Sequence, residues 1–108
     1  MQSMLCGWIE GRAREEAVAE FAIAHDKLES SPFNSVYNTI EIHRCNGIHT
    51  AQDIIKADLK QLLGGIEEVI VLPEWENDAS ASMIVAVAQA IGKPVITLEA
   101  KLKSMEAK

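Results

Sequence analysis

Short runs of consecutive apolar residues alternate along the chain with longer segments whose apolar residues recur every three or four positions. The short runs predict buried β-strands, and the periodic segments predict amphipathic helices. Strands are predicted at residues 4–6, 35–38 (or 35–40), 69–72 and 95–98. Helices are predicted at residues 12–28, 51–63 and 79–91, and the last of these has almost no polar side chain.

Glycine, proline and serine residues end the predicted helices, and polar residues precede two of them. Thr50 is a suitable cap for the second helix, and Asn77 or Asp78 for the third. Strands that alternate with helices pair in parallel through right-handed crossovers. We therefore expect an α/β fold, a three-layer domain with a small parallel sheet of four to five strands. The strand at residues 69–72 should be central, because it is apolar throughout.

In parallel sheets of this kind, ligands bind beyond the carboxyl ends of the strands. The loops predicted at that edge are residues 7–11, the segment from Asn38 onward, residues 73–78 and the residues that follow Leu98. A binding site is expected among these four loops.

Length and charge narrow the classes of partner. The 108 residues suit one domain, with residues 99–108 as a charged tail or a short helix. The formal net charge of −6 disfavours duplex nucleic acid and anionic membranes. No apolar run reaches the roughly 18 residues of a membrane helix, and the amino terminus does not resemble a secretory signal. A cytoplasmic protein is expected.

The cysteines and histidines do not predict a metal site. Cys6 and Cys45 have no metal-like spacing and are expected to be free thiols. His43 and Cys45 are close in sequence and share a predicted loop with His49, but two such ligands without a nearby acidic third are too few for zinc. His25 is expected on a helix surface. No metal or cofactor is therefore expected.

Asp58 lies beside the apolar stripe of the second predicted helix. A carboxylate that faces the interior needs a hydrogen-bond partner or a ligand. The alternative is an ordinary Asp at the solvent edge, paired with Lys56 or Lys60. The sequence leaves both interpretations open.

Gly7 and Gly11 flank Trp8 in the first turn from strand to helix. Glycine allows a ligand to approach the backbone, and a helix start offers free N–H groups to an anion. The spacing matches neither a dinucleotide fingerprint nor a P-loop, so a simple tight turn explains the glycines equally well.

Acidic residues are concentrated where the third strand gives way to the third helix. Glu76 and Asp78 precede that helix, where negative charge is favourable by about 0.3–1 kcal/mol per residue. Glu74 follows the strand directly and is explained less well in this way. Trp75 is a residue for packing, or for stacking on a base or sugar.

Three stretches resemble the nucleoside 2-deoxyribosyltransferase-like superfamily, and especially a small uncharacterised branch found in phages and bacteria. They are MLCGWIEG from Met4, VYN from Val36, and the long run IKADLKQLLGGIEEVIVLPEWENDASASMIVAVAQAIGKPV. The LPEWE segment is the most specific of these matches. The resemblance implies a flavodoxin-like or Rossmann-like fold.

The resemblance also implies a small-molecule partner, a nucleoside or its 5′-monophosphate. Enzymes of the superfamily cleave or exchange the bond between deoxyribose and base. Their helix Asp, which contacts base or sugar, matches Asp58. The ligand-binding positions implied are Cys6, Gly7, Trp8, Gly11, Asn38, Asp58, Pro73, Trp75 and Ser80.

The chain departs from that superfamily at the catalytic position. Ile84 stands where the relatives carry a glutamate in the helix after the third strand, and a hydrocarbon side chain cannot attack an anomeric carbon. The favoured expectation is a nucleoside- or nucleotide-binding protein without normal glycosidic chemistry. The alternatives are an active N-glycosidase or deoxyribosyltransferase that uses Glu74 or Glu76, and a structural homo-oligomer without a ligand.

The third predicted helix also indicates self-association. It carries apolar residues around its whole circumference, among them Met83, Val87 and Ile91. A helix of this kind is covered on more than one side. One side faces its own sheet, so a homodimer or larger homo-oligomer is expected to cover another.

Overall fold

The computed structural model of the chain describes residues 2–9, 11–30, 35–40 and 51–106. Four strands are present in these ranges: β1 (Gln2–Cys6), β2 (Ser35–Asn38), β3 (Glu68–Val71) and β4 (Val95–Thr97). In the same ranges, four helices of nine or more residues alternate with them: α1 (Arg14–Leu28), α2 (Ala51–Gly64), α3 (Ala79–Ala90) and α4 (Leu98–Glu106). A short 3-10 turn, Trp75–Asn77, precedes α3.

The strands form one parallel sheet in the order β2-β1-β3-β4. The predicted α/β class is confirmed, and β3 is internal as its apolar sequence predicts. The order and the parallel pairing are those of a three-layer flavodoxin-like or Rossmann-like fold. Strands that are consecutive in the chain are connected through helices, as parallel pairing requires.

Side chains alternate between the two faces of the sheet and produce two separate apolar clusters. Met4 and Cys6 of β1 face α2 and α3, where they join Leu62 and Ile84. The intervening Leu5 faces the opposite layer, with side chains from α1 and partly buried ones from α4. The sheet is therefore covered by helices on both faces.

Several predicted boundaries are wrong by one or two residues. Thr39 and Ile40 are helical and do not extend β2; the Thr39 hydroxyl donates to the Leu5 carbonyl at 3.0 Å. Leu98 begins α4 and is not part of β4, whereas Glu68 already belongs to β3. Of the region predicted as a charged tail or short helix, residues 99–106 belong to the helix α4, which runs from Leu98 to Glu106.

Glu68 is a charged residue at the buried start of β3. Its carboxylate lies 2.6 Å from the Lys101 ammonium of α4, and both side chains are largely shielded from solvent. The Ser3 hydroxyl of β1 donates to the same Glu68 oxygen at 2.9 Å. This cluster ties α4 to the first residues of two internal strands, and it explains how a carboxylate is accommodated there.

Predictions for residues 41–50 lie outside the described residues. They include the loop with His43, Cys45 and His49 and the helix cap Thr50. Within the described ranges, every helix is too short or too polar to traverse a lipid bilayer.

Candidate functional site

From β1, the chain adds β2 on one side of the sheet and then β3 and β4 on the other, so the strand order reverses between β1 and β3. Ligands of such sheets bind outside the carboxyl ends of the two strands at this reversal, which is therefore the expected position. The β1–α1 and β3–α3 loops meet there through Asp78. Its Oδ2 accepts from the Ile9 N–H at 2.9 Å, and its Oδ1 accepts from the Ala81 N–H at 2.9 Å. Asp78 therefore caps α3, as predicted, and also holds the two loops together.

Gly7 is explained by packing. A Cβ at this position would lie 3.0 Å from the Leu72 Cβ and 3.1 Å from the Phe21 ring. A side chain at this position would therefore require Leu72 and Phe21 to shift by a few tenths of an ångström. Gly11 has a φ of +74° and no neighbour within 4 Å of an added Cβ, which is the geometry of an exposed turn. Packing therefore accounts for Gly7, and a turn conformation accounts for Gly11.

Trp8 lies in the same turn under the Arg12 side chain. The guanidinium carbon of Arg12 is 5.1 Å from the Trp8 ring centroid, in the range of a cation–π contact. Arg12 also donates to the Trp8 carbonyl at 3.2 Å and pairs with Glu20 at 2.8 Å. Its charge is thus already engaged by the protein.

Asp58 is buried. Only 3% of this α2 residue is exposed, so the alternative of an Asp at the solvent edge is wrong. Its negative charge acts on both the Cys6 thiol and the Tyr37 phenol. Asp58 therefore lies close to the carboxyl ends of β1 and β2, on the sheet face covered by α2 and α3.

The environment of Cys6 and Tyr37 disfavours further negative charge. Burial, and then the carboxylates of Asp58 and Asp78, raise the pKa of the Cys6 thiol far above its usual range. Burial, then Asp58, then Cys6 raise the pKa of Tyr37 to about 12. Cys6 is therefore a neutral thiol, and Tyr37 a hydroxyl able to donate a hydrogen bond. Tyr37 is absent from the sequence-based candidates, although it lies within the VYN segment.

Asn38 ends β2 and is 5% exposed. Its side-chain Nδ2 lies 3.3 Å from Nδ1 of His25 in α1, and the other ring nitrogen of His25 lies 3.1 Å from Glu29. His25 is therefore half-buried and linked to the sheet edge rather than a simple surface residue.

The residues of the loop after β3 form a second group, separate from the residues around Asp58 and Cys6. Glu74 has a φ of 63° and a ψ of 24°, a left-handed conformation that costs about 1–3 kcal/mol in a non-glycine residue. Glu74 and Glu76 are exposed, and Trp75 is half-buried against the cluster beneath α2 and α3. With Pro73 they line a cavity of about 440 Å³ beside α4.

Two further positions lie in α3. Ser80 is half-buried in its first turn. Ile84 is 1% exposed and packs within the apolar cluster that also contains Cys6. The side chain at position 84 is therefore directed into the core.

Most of the predicted residues fall into two groups, and Gly11, Asn38 and Ser80 belong to neither. Cys6, Gly7, Trp8 and Asp58 lie with Asp78 and Tyr37 around the carboxyl end of β1 and its neighbours β2 and β3, which we call the switch-point site. Pro73, Glu74, Trp75 and Glu76 line the cavity beside α4. Across the described ranges, no three His, Cys, Asp or Glu side chains are grouped so that they could hold a metal ion.

Comparisons with known proteins identify the family of the chain and no individual relative. No curated protein gives a significant match to the chain, and no solved structure does. The model of the family described as "Domain of unknown function (DUF4406)" matches residues 1–97, which include every strand of the sheet and all the residues of the switch-point site. The chain therefore belongs to the DUF4406 family.

Proposed function

We propose that the chain binds a nucleoside or nucleotide at the switch-point site, without normal glycosidic-bond chemistry. The observation that carries this proposal is the burial of the Asp58 carboxylate beside the carboxyl ends of β1 and β2. Buried ionisable groups are frequent at functional sites, and ligands of parallel sheets bind beyond the carboxyl ends of the strands. The resemblance to nucleoside 2-deoxyribosyltransferases, in which an Asp at this position contacts base or sugar, supports the choice of ligand.

The groups at the site suit a nucleoside chemically. Asp58 accepts hydrogen bonds, such as those from a sugar hydroxyl or a base N–H, whereas the Tyr37 hydroxyl can donate one. The Trp8 ring, which Arg12 covers on one face, adds an aromatic surface beside them. Asp78 fixes the two loops relative to each other, so little order would have to be gained on binding.

The expected lack of catalysis rests on position 84. Ile84 places a hydrocarbon where the superfamily has its carboxylate, and this side chain is buried in the core. Without a nucleophile, the site could only position the substrate. Loss of a nucleophile lowers the catalytic rate by many powers of ten. The exposed Glu74 and Glu76 face the cavity beside α4 instead.

Binding can be tested by calorimetry and thermal shift with each natural nucleoside, deoxynucleoside and 5′-monophosphate. We expect at least one to bind and to raise the melting temperature. Asp58→Asn should weaken that binding, whereas Asp26→Asn, which alters an exposed Asp on α1, should not. If no compound binds, or if both variants bind like the parent, the proposal fails and a structural role without a ligand gains support.

An active N-glycosidase or deoxyribosyltransferase is the second candidate. Its supporting observation is that Glu74, Trp75 and Glu76 share one cavity, where an aromatic ring and two carboxylates could receive a sugar and base. The test is to incubate the protein with each deoxynucleoside and monophosphate and to measure free base. Turnover that is abolished by Glu74→Gln or Glu76→Gln would favour this candidate over simple binding.

We further propose that α3 mediates self-association. Met83 is 38% exposed, and Ile91, the residue that ends this helix, is 45% exposed. These side chains lie on a helix whose other positions are largely apolar, so a second copy would remove apolar surface from water. Sedimentation at micromolar concentration should show a dimer or larger species, and Met83→Glu should shift it toward monomer. A monomeric parent protein would contradict the proposal.

A further inference from the structure

We propose that the cavity beside α4 binds a small organic cation with an apolar body, at a site separate from the switch-point site. The cavity has a volume of about 440 Å³, which is within the range of about 300–1,000 Å³ typical of small-molecule sites. It lies between the carboxyl ends of β3 and β4 and the first turns of α4. Leu72, Leu98 and Leu102 give it an apolar lining, and Trp75 adds an aromatic one.

The charge of the lining residues determines which charge a ligand of this cavity should carry. Glu74, Glu76 and Glu99 contribute three carboxylates, and no Lys, Arg or His is among the lining residues. Within the described part of the chain, neither Glu74 nor Glu76 forms an ion pair. Glu99 lies 3.4 Å from Lys103, but both side chains are largely exposed and such pairs are weak. The cavity therefore complements a cation.

An apolar body is required as well as a charge. The leucines offer no hydrogen bonds, so a hydrated inorganic ion would leave this surface unused, whereas an aromatic or aliphatic group would cover it. The Trp75 ring can attract the cationic group through its π-face. A phosphate or carboxylate ligand is disfavoured by the same three glutamates, and the net charge of −6 adds to that repulsion.

The acidic rim is held in place by the backbone. The Asn77 N–H donates to the Glu74 carbonyl at 3.0 Å, and the Asp78 N–H donates to the Trp75 carbonyl at 3.0 Å. Asp78 is itself fixed by its side-chain bonds to Ile9 and Ala81. Glu74 and Glu76 therefore extend from a short, anchored turn, which lowers the ordering cost of binding.

Three matched probes test the proposal: phenethylamine, its neutral analogue phenethyl alcohol, and the anionic hydrocinnamate. Calorimetry at low salt should show that the amine binds about tenfold or more tightly than the alcohol, with no binding of the acid. Added salt should weaken amine binding. Backbone amide NMR shifts should change mainly at residues 71–76 and 97–102.

Variants separate this site from the proposed nucleotide site. The double variant Glu74→Gln/Glu76→Gln should lose most amine binding, whereas Glu15→Gln, an exposed acid on α1, should retain it. Asp58→Asn should also retain it, so a failure of nucleotide binding would leave this proposal intact. Equal binding of amine and alcohol, no amine binding, or no effect of the double variant would overturn it.

Discussion

The carboxylate of Asp78 accepts a hydrogen bond from the backbone N–H of Ile9, 69 positions earlier in the chain, at 2.9 Å. The same side chain caps α3 through the Ala81 N–H. One residue therefore fixes the start of a helix and connects the two loops that frame the switch-point site. Only 2% of Asp78 is exposed, so water cannot readily replace either bond.

Replacement of Asp78 should be costly. Asp78→Ala removes a helix cap and leaves a second N–H without its acceptor, so we expect the free energy of unfolding to fall by about 2–4 kcal/mol. Urea denaturation measures this change. Glu76→Ala, in the same loop but exposed, should change stability by less than about 0.5 kcal/mol. Equal effects of the two variants would show that Asp78 does not join the loops.

Gly7→Ala should destabilise the protein by about 1–3 kcal/mol, because the new Cβ would lie 3.0 Å from Leu72 side-chain atoms. Gly64→Ala is a matched control at the end of α2. Nothing lies within 4 Å of its added Cβ, and alanine favours a helix over glycine, so stability should rise by up to about 1 kcal/mol. Thermal and urea unfolding should show these opposite signs. A Gly7→Ala variant as stable as the parent would contradict the close packing of the turn.

Lys101→Met should lower the free energy of unfolding by about 3 kcal/mol, because it leaves the buried Glu68 carboxylate without its cation. The double variant Glu68→Leu/Lys101→Met should recover part of that loss, since it leaves no buried charge. Lys103→Met breaks only the exposed pair with Glu99 and should cost less than about 0.5 kcal/mol. Similar losses at Lys101 and Lys103 would refute the buried cluster.

Tyr37 is the single tyrosine of the chain, so the near-ultraviolet absorbance of phenolate reports this residue alone. Burial, with Asp58 and Cys6, raises its pKa to about 12 from 10.0. Asp58→Asn should lower that pKa, because it removes the second of these causes. If the phenolate absorbance of the folded protein has its midpoint near the ordinary pKa of tyrosine, or if Asp58→Asn does not change that midpoint, then Asp58 does not lie close to Tyr37.

The same pKa shift predicts how stability depends on pH. The folded state holds the Tyr37 proton more tightly than the unfolded chain does, so the contribution of Tyr37 is fully present below pH 10. It is lost as the pH rises from 10 toward 12. Urea denaturation of Tyr37→Phe should accordingly show a shallower decline over this interval than the parent protein.

The local parts of this arrangement are predictable from sequence. The apolar run from Val69 predicted β3, because side chains of a strand covered on both faces are all buried. The residue type at position 78, just before an apolar helix, predicted a cap. The bond from Asp78 to Ile9 has no such signal, because it joins distant positions. Glu68 was left out of β3 for the same reason: its partner Lys101 becomes visible only when α4 packs against the sheet.

The division of the candidate residues between two places was also beyond sequence reasoning. Asp58 had two open interpretations, because helical periodicity gives the side of a residue but not how deeply a neighbouring layer buries it. Trp75 and Glu74 were grouped with Gly7 because both loops follow strands. The structure places them on the α4 side of the loop after β3. That cavity depends on the packing angle of α4, which no short segment determines.

The internal position of β1 has a consequence for how the sheet assembles. The first strand of the chain pairs on one side with β2 and on the other with β3, and the pair Ser3 and Glu68 closes a separation of 65 positions. The entropy of such a large loop is lost before its contacts form, which slows folding. On a ribosome, one edge of β1 would also stay unpaired until β3 emerges, so nascent chains would expose an apolar strand to other chains.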